Sequence, residues 1–288
     1  MTNNYIFLAP EAIFPIIKDE NGVVLKQHPA TGFPTAGTLQ GEGKMAGTPV
    51  LFLRTAGCNL RCMWSLPNGE VSICDTPFAS FDTRGEKRIE VETVKNIILQ
   101  NIGNMNHLVI SGGEPFIQPE PLVHLIETLR KEKNIGIAVE TNGSLFHEEL
   151  VKSIDFFSIS PKLKNSVPTK EKLDKTKALI PFEPDHAEKI RRNIDALQAI
   201  INHCNTTPGK DFQLKFVVQN HEELEEIETC FLAYLEGWKP DDIVLMPLGS
   251  VPEELEQTRM VALEAAIERG WRYSPRLQIT YFGGIAGV

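Results

Sequence analysis

The sequence has no long apolar run and no recognisable export signal. Nowhere do eighteen consecutive apolar residues occur, and the first fifteen residues contain Glu11 but no basic cluster. A membrane span requires about twenty mainly apolar residues, and a secretory leader begins with basic residues. We therefore expect a cytoplasmic protein without a membrane partner.

Cysteines are few and unevenly distributed. The chain has 5 cysteines, an odd number, and none of them forms a CxxC pair. An odd count without a secretory leader disfavours a disulfide framework, and the missing CxxC disfavours the commonest structural zinc motif. Reduced thiols are therefore expected to be available for a metal or a cluster.

Basic residues are outnumbered by acidic ones. The 29 lysines and arginines stand against 38 aspartates and glutamates, which gives a formal charge of −9. Proteins that coat nucleic acid neutralise its phosphates with basic side chains, so we expect a small-molecule substrate and no nucleic-acid partner. With 288 residues and 42% hydrophobic content, the chain can bury the core of one α/β barrel, which favours a single domain.

Three of the cysteines, Cys58, Cys62 and Cys74, lie in one loop after the apolar segment 49–54. Three residues separate the first pair, and eleven residues that include proline, asparagine and glycine separate the second pair. Three thiolates could bind a four-iron cluster and leave one iron open, which implies chemistry at that iron. A zinc site with histidine as the fourth ligand and plain buried thiols are the alternatives that the cysteines alone leave open.

Strand-like and helix-like segments alternate along most of the chain. The predicted strands cover 49–54, 107–111, 135–140, 155–160, 212–218, 243–246 and 277–282. The predicted helices cover 91–102, 120–132, a short segment from about 147, a segment with a capping box at Asp185 and Glu188, a segment capped near Asn220, and 252–269. This order predicts a parallel sheet that curls into a full or partial barrel.

Five motifs follow predicted strands directly. They are the cysteine loop, GGEP at 112–115, ETNG at 140–143, SPK at 160–162 and MPLG at 246–249. Ligands of parallel sheets bind at the carboxyl ends of the strands, so these motifs should face one cavity.

Outside this alternation, the sequence predicts simpler structure. A hairpin is predicted around Asn21 and Gly22, and a lysine-rich solvated loop over 163–183. Cys204 and Cys230 fall on predicted helical faces, where a small buried thiol is common.

The motifs LQGEG, RTAGCNLRC, CDT, ISGGEP, ETNG and SISPK occur in this order. Together they resemble the 7-carboxy-7-deazaguanine synthases of the radical S-adenosylmethionine (SAM) superfamily, over most of residues 38–162. The resemblance implies an α/β fold, a partial (β/α) barrel of the radical SAM type, as one domain over 1–288. Residues 1–47 would be an N-terminal extension that carries LQGEG, and 163–210 a probable insertion.

The resemblance also implies a reaction. A [4Fe-4S] cluster and SAM would generate a 5′-deoxyadenosyl radical that removes hydrogen from 6-carboxy-5,6,7,8-tetrahydropterin. The ring would contract with loss of ammonia, and SAM would be regenerated. The implied partners are the pterin substrate, a reductant such as flavodoxin or ferredoxin, and a second copy of the chain in a homodimer.

Site residues are carried over by position. The implied metal ligands are Cys58, Cys62 and Cys74 for the cluster and Thr76 for Mg²⁺. The implied SAM contacts are Ile73, Cys74, Asp75, Gly113, Glu140, Ser160, Pro161 and Lys162. The implied substrate contacts are Leu39, Gln40, Gly41, Glu42, Arg54 and Ser111. For Arg54, Glu140 and Thr76 the structural alternatives are a salt bridge, an ion pair with a lysine, and a turn or cap.

Three departures from the family pattern bear on these expectations. The spacer before Cys74 is longer than in the usual CxxxCxxC, MPLG replaces an acidic residue of many relatives, and the tail YFGGIAGV is unusual. Two other functions remain open: an activase that docks on a glycyl-radical protein, which shares the cluster and SAM, and a zinc-stabilised binding protein without turnover.

Overall fold

One large sheet dominates the computed structural model, which describes residues 4–176, 188–283 and 285. In spatial order the sheet contains β12 (Arg272–Tyr273), β11 (Ile243–Pro247), β10 (Asp211–Val218), β9 (Phe156–Ile159), β8 (Gly136–Thr141), β7 (His107–Gly112), β3 (Pro49–Thr55), β1 (Tyr5–Phe14) and β6 (Lys87–Glu90). A short β2 (Thr38–Leu39) pairs with β3. A separate hairpin consists of β4 (Met63–Ser65) and β5 (Val71–Ile73).

Helices connect most of these strands. They are α1 (Pro77–Ser80), α2 (Val91–Asn101), α3 (Pro119–Glu132), α4 (Glu148–Ser153), α5 (Lys170–Thr176), α6 (Ile194–Thr206), α7 (His221–Glu226), α8 (Pro252–Arg269) and α9 (Leu277–Phe282). In α3 the apolar side chains recur at helical spacing, and Leu122, Leu125, Ile126 and Leu129 are all buried against the sheet. Within the part of the chain that the structure describes, no helix combines the length and apolar composition needed to cross a bilayer.

Strands β3, β7, β8, β9, β10, β11 and β12 form the parallel part of the sheet, and in this order each strand lies beside the one before it. Such consecutive winding in one direction is typical of a barrel wall, whereas a doubly wound sheet reverses direction at its middle. At the other edge β1 runs antiparallel to β3. The predicted α/β partial barrel is therefore confirmed, and all the predicted strands except the last are present.

The N-terminal region differs in part from its prediction. The turn at Asn21 and Gly22 is present, because the Asp19 carboxylate accepts the backbone N–H groups of Asn21 and Val23. The flanking segments pair antiparallel at a bridge between residues 18 and 24, where the Asp19 N–H donates to the Val23 carbonyl and the Leu25 N–H donates to the Ile17 carbonyl, so the predicted hairpin is present in a short form. The long strand β1, which the sequence did not predict, lies in the main sheet between β3 and β6.

Two predictions are wrong. Segment 277–282 forms the helix α9, not a strand, because the chain leaves the sheet after β12. The start of this helix is held in place by the backbone N–H of Leu277, which donates to the Gly41 carbonyl. Part of the lysine-rich segment forms α5, in which Lys172 is buried. The predicted cap at Asp185 lies outside the described residues, and α6 begins at Ile194 with Asn193 as its cap.

Candidate active site

A cavity of about 740 Å³ opens at the carboxyl ends of the parallel strands. All five predicted motifs contribute residues to its wall. Of the residues expected to bind metal, SAM or substrate, those in its wall are Leu39, Gln40, Gly41, Glu42, Arg54, Cys58, Cys62, Ile73, Cys74, Asp75, Thr76, Ser111, Gly113, Glu140, Ser160 and Lys162. Pro161 is buried and does not belong to the lining. The sheet thus brings distant motifs to one place.

The long spacer between the second and third cysteines folds as the β4–β5 hairpin. Met63 pairs with Ile73, so the preceding and following residues, Cys62 and Cys74, lie opposite each other at its open end. The backbone N–H of Cys74 donates to the carbonyl of Cys62 at 3.1 Å. The eleven intervening residues are therefore looped out, and the third cysteine returns to the second.

The cysteine thiols lie in a poorly hydrated part of the wall. Burial, with the neighbouring thiols adding to it at Cys58, raises the pKa of Cys58 and of Cys62 to about 12. Such thiols become thiolates when a bound metal replaces the lost hydration. The Cys74 Sγ lies 3.1 Å from Ser80 Oγ.

The arrangement of donors fits a cluster. Among residues 4–176, 188–283 and 285, no group of three His, Cys, Asp or Glu side chains could hold one metal ion. The thiolates of a four-iron cluster bind separate irons, so they need only share one wall of a cavity. Cys58, Cys62 and Cys74 share such a wall, and they can hold a cluster that leaves one iron without a protein ligand.

The GGEP motif fixes the neighbouring strand ends. Glu114 is completely buried, and its carboxylate accepts hydrogen bonds from the Phe116 and Asn142 backbone N–H groups and from Thr141 Oγ1, the last two at 2.7 Å. Burial raises the pKa of Glu114. A Cβ atom at Gly113 would lie 1.9 Å from the carbonyl oxygen of Gly57, so only glycine fits there. The backbone ends of β7 and β8 are therefore locked beside the cysteine loop.

Glu140 connects two of the predicted substrate residues. Gln40 Nε2 donates to Glu140 Oε1 at 3.0 Å, and Ser111 Oγ donates to Glu140 Oε2 at 2.7 Å. Both oxygens of Glu140 accept hydrogen bonds from neutral donors, so an ion pair with a lysine does not hold this carboxylate. Beyond the end of the neighbouring strand β9, Lys162 Nζ donates to Ser160 Oγ at 2.8 Å.

Arg54 is a half-buried cation that forms no salt bridge with any residue that the structure describes. Its Nε atom is buried and has no hydrogen-bond partner among the described residues, and its guanidinium lies 4.4 Å from the Phe14 ring centroid and 5.4 Å from that of Phe78. Burial lowers the pKa of Arg54, while the charges of Asp75 and Glu140 oppose this effect. A partly desolvated charge without an ion-pair partner is costly, and the salt-bridge alternative does not explain this residue.

A network of charges around Glu42 escaped the sequence predictions. Lys215 Nζ and Arg276 Nε donate to its two carboxylate oxygens, Arg276 at 2.9 Å, and Gln278 Nε2 donates at 2.6 Å. Burial alone would raise the pKa of Glu42, but the charges of Lys215 and Arg276 outweigh it and hold the pKa well below its usual range. Arg276 also donates to Asp75 at 2.8 Å. A lysine inside the apolar run 212–218 was the one signal available in the sequence.

Thr76 lies at the start of α1, but its hydroxyl does not cap the helix. Its Oγ1 lies 3.5 Å from Cys74 Sγ, and the residue lines the cavity. The cap alternative therefore leaves the hydroxyl unexplained. An oxygen ligand next to the thiol wall is suited to a hard cation such as Mg²⁺.

Comparison with known proteins agrees with this geometry. Residues 52–227 match the model of the Radical SAM superfamily. The chain is 34% identical to a 7-carboxy-7-deazaguanine synthase of Rhodopirellula baltica over 86% of this chain and 85% of that protein. It is 35% identical to one of Halobacterium salinarum over 84% of this chain and 86% of that protein. The crystal structure of QueE from Escherichia coli has a similar fold, with a TM-score of 0.54 and 21% identity over 91% of this chain and 93% of the other.

Proposed function

The chain belongs to the Radical SAM superfamily and, within it, to the 7-carboxy-7-deazaguanine synthases, and we propose that the cavity at its strand ends performs their reaction. The substrate is 6-carboxy-5,6,7,8-tetrahydropterin, and the product forms by ring contraction with loss of ammonia. The single observation that carries the assignment of this cavity is Arg54, a half-buried residue of the cavity wall whose buried Nε has no hydrogen-bond partner among the described residues.

Cys58, Cys62 and Cys74 hold the [4Fe-4S] cluster, because these thiols share one wall. When bound, the cluster and SAM supply one-electron reduction and hydrogen-atom abstraction. The residues that would hold SAM are Ile73 to Asp75, Gly113 and Ser160 to Lys162. The Lys162 ammonium is placed to attract the carboxylate of SAM as a point charge.

Arg54 binds the carboxylate of the pterin. A guanidinium donates two parallel hydrogen bonds to a carboxylate, which fixes the direction of the ring as well as its position. The aromatic rings of Phe14 and Phe78 keep the guanidinium in place before substrate arrives. Substrate binding thus supplies a carboxylate in hydrogen-bonding contact with Arg54, whereas Asp75 and Glu140 act on it only through their charge.

The remaining substrate contacts lie along the opposite edge. Leu39, Gln40 and Gly41 offer apolar surface and backbone groups to the pterin ring. Glu140 accepts from Gln40 and holds it in place, and Ser111 in turn donates to Glu140. Glu42 acts mainly by ordering this edge, because Lys215, Arg276 and Gln278 already occupy its carboxylate. The Thr76 hydroxyl would supply one oxygen ligand to a Mg²⁺ ion, which would help to hold the substrate.

The assembly around this site is part of the proposal. Residues 1–47 serve as the substrate-binding extension, and 163–210 form an insertion within one domain.

A homodimer is supported by Met260, Leu263 and Ile267, which recur at helical spacing on α8 and are exposed. The protein works in the cytoplasm with flavodoxin or ferredoxin as reductant. Light scattering of the purified protein and of Ile267→Glu tests the dimer, which the charge should dissociate.

Binding of the free pterin tests the proposed function. An activase acts on a protein and has no use for a pterin site, so anaerobic titration with 6-carboxytetrahydropterin separates the two readings. We expect saturable binding to the protein that carries cluster and SAM. Absence of binding to a protein with full iron content would contradict the proposal.

A further inference from the structure

The hairpin that carries two cluster cysteines has an outer edge. Towards β5, the carbonyl of Cys62 accepts from the Cys74 N–H, and the N–H of Leu66 donates to the Glu70 carbonyl. Backbone groups of successive residues in a strand point to opposite sides, so the carbonyls of Met63 and Ser65 point away from β5. An isolated two-stranded hairpin is marginally stable, and these carbonyls need donors from elsewhere.

Lys172 of α5 supplies the first donor. Its side chain is buried, with a relative exposure of 7%, and its Nζ donates to the Met63 carbonyl at 3.0 Å and to the Val167 carbonyl at 2.9 Å. The carbonyl of Asn165 accepts the third hydrogen bond. An ammonium has three N–H donors, so this lysine is satisfied entirely by backbone oxygens. One of these oxygens belongs to Met63, the residue next to Cys62.

Gln219 supplies the second donor. It follows β10, and its Nε2 donates to the Ser65 carbonyl at 2.7 Å. Its own backbone N–H donates to the Glu223 carboxylate at 2.6 Å, and Glu223 belongs to the capping box of α7. The backbone of Gln219 is therefore anchored to the barrel wall, while its side-chain amide holds the hairpin.

We propose that Lys172 and Gln219 are positioning residues for the iron–sulfur cluster, a clamp that fixes the cysteine hairpin against the barrel. This inference rests on the proposed function, because it takes Cys62 and Cys74 as cluster ligands. The two side chains come from different elements and bond alternate carbonyls of one strand, which restricts both the position and the tilt of the hairpin. The segment that holds α5 thus has a role: it supplies the ammonium that an expanded cysteine spacer requires.

The clamp is tested on the full-length protein after anaerobic reconstitution. Lys172→Met and Gln219→Met remove the donors and retain the approximate length of each side chain. Lys170→Met alters an exposed lysine of the same helix, and Leu129→Ala destabilises the core at α3. The measurements are iron per chain, the rate of iron loss to a chelator, the electron paramagnetic resonance spectrum of the reduced cluster with and without SAM, and the thermal midpoint of the apoprotein.

Both clamp variants should lose iron about 10- to 100-fold faster than the unaltered protein, the range typical of lost outer-shell contacts at metal sites. Their spectra should broaden or shift. Lys170→Met should match the unaltered protein, and Leu129→Ala should lose stability without faster iron loss. If Lys172→Met does not fold, Gln219→Met decides the question with the same assays.

Iron-loss rates and spectra that match the unaltered protein in both clamp variants would overturn the clamp. Leu129→Ala provides the second comparison. If its thermal midpoint falls as far as that of the clamp variants and it loses iron as fast as they do, the clamp is also overturned, because a general loss of stability would then explain the effect. An unaltered protein that takes up no iron would instead overturn the cluster assignment and with it the proposed function.

Discussion

Cys74 lies directly opposite Cys62 at the open end of the β4–β5 hairpin, with its backbone N–H 3.1 Å from the Cys62 carbonyl oxygen. Distance along the chain is therefore a poor guide to distance between these thiols. A hairpin of any length in the same register would return the third cysteine to the same point. The unusual spacing is compatible with an ordinary three-cysteine site.

Loss of Cys74 should remove the cluster. Cys74→Ala takes away one of three thiolates, and we expect iron content and SAM cleavage to fall together to near background. Cys204→Ala is the matched control, because Cys204 is buried in α6 and does not line the cavity. Iron analysis and visible absorbance after anaerobic reconstitution measure the effect. A full cluster in Cys74→Ala would mean that another residue is the third ligand.

Arg54→Lys should weaken substrate binding and spare SAM binding. The ammonium keeps the charge but loses the two-pronged hydrogen bond, and charge-assisted hydrogen bonds contribute about 1.5–3 kcal/mol, or on the order of 10- to 100-fold in affinity. Anaerobic titrations with 6-carboxytetrahydropterin and with SAM measure both affinities. Arg130→Lys, at an ion pair on the surface with Asp155, should change neither. Equal losses in both affinities and in thermal stability would indicate a structural role for Arg54.

Glu42→Gln should destabilise the fold. The change leaves Lys215 and Arg276 buried without their shared counter-ion, and breaking such a buried pair costs about 3–5 kcal/mol. Urea unfolding of the apoprotein at neutral pH measures the difference in the free energy of unfolding from the unaltered protein.

The difference in the free energy of unfolding between the unaltered protein and Glu42→Gln should depend on pH. The folded-state pKa of Glu42 lies below its ordinary value of 4.5, so the stabilising effect of its charge is present above that value and declines as the pH falls below it. The gap between the two proteins should therefore stay nearly constant from neutral pH down to about pH 4.5 and narrow progressively below it. A gap that does not narrow below about pH 4.5 would show that charge at Glu42 does not stabilise this network.

Thr76→Ala should abolish a dependence on magnesium. If the hydroxyl binds Mg²⁺ together with the substrate, product formation by the unaltered enzyme should rise with added Mg²⁺. Displacement of the substrate by about 1 Å can cost on the order of a hundredfold in rate, and the variant should show a loss of this size. Its iron content should be unchanged. A variant with the same magnesium response as the unaltered enzyme would exclude Thr76 as the ligand.

Much of the fold followed from local pattern. The continuous apolar runs that form β3, β7 and β11 are typical of strands covered on both faces, and their helices begin and end close to the predicted residues. Strand β1 was missed because its pattern is interrupted, with Pro10 and then Glu11 at a φ of 52° where the pairing register shifts.

The other errors have a tertiary cause. The alternating segment that became α9 is held by the ion pairs of Arg276 and ends at Gly283, whose φ is 65°. The burial of Lys172 depends on three carbonyls brought together only by the fold. Local propensity is a weak predictor where such contacts decide the conformation.

Anaerobic turnover of 6-carboxy-5,6,7,8-tetrahydropterin tests the account most directly. The reconstituted enzyme, with SAM and a reductant, should release ammonia and a product with the mass of 7-carboxy-7-deazaguanine, and omission of SAM or reductant should abolish both. Cys74→Ala under the same conditions should give none. Absence of product from an enzyme with a complete reduced cluster, bound SAM and bound pterin would contradict the account.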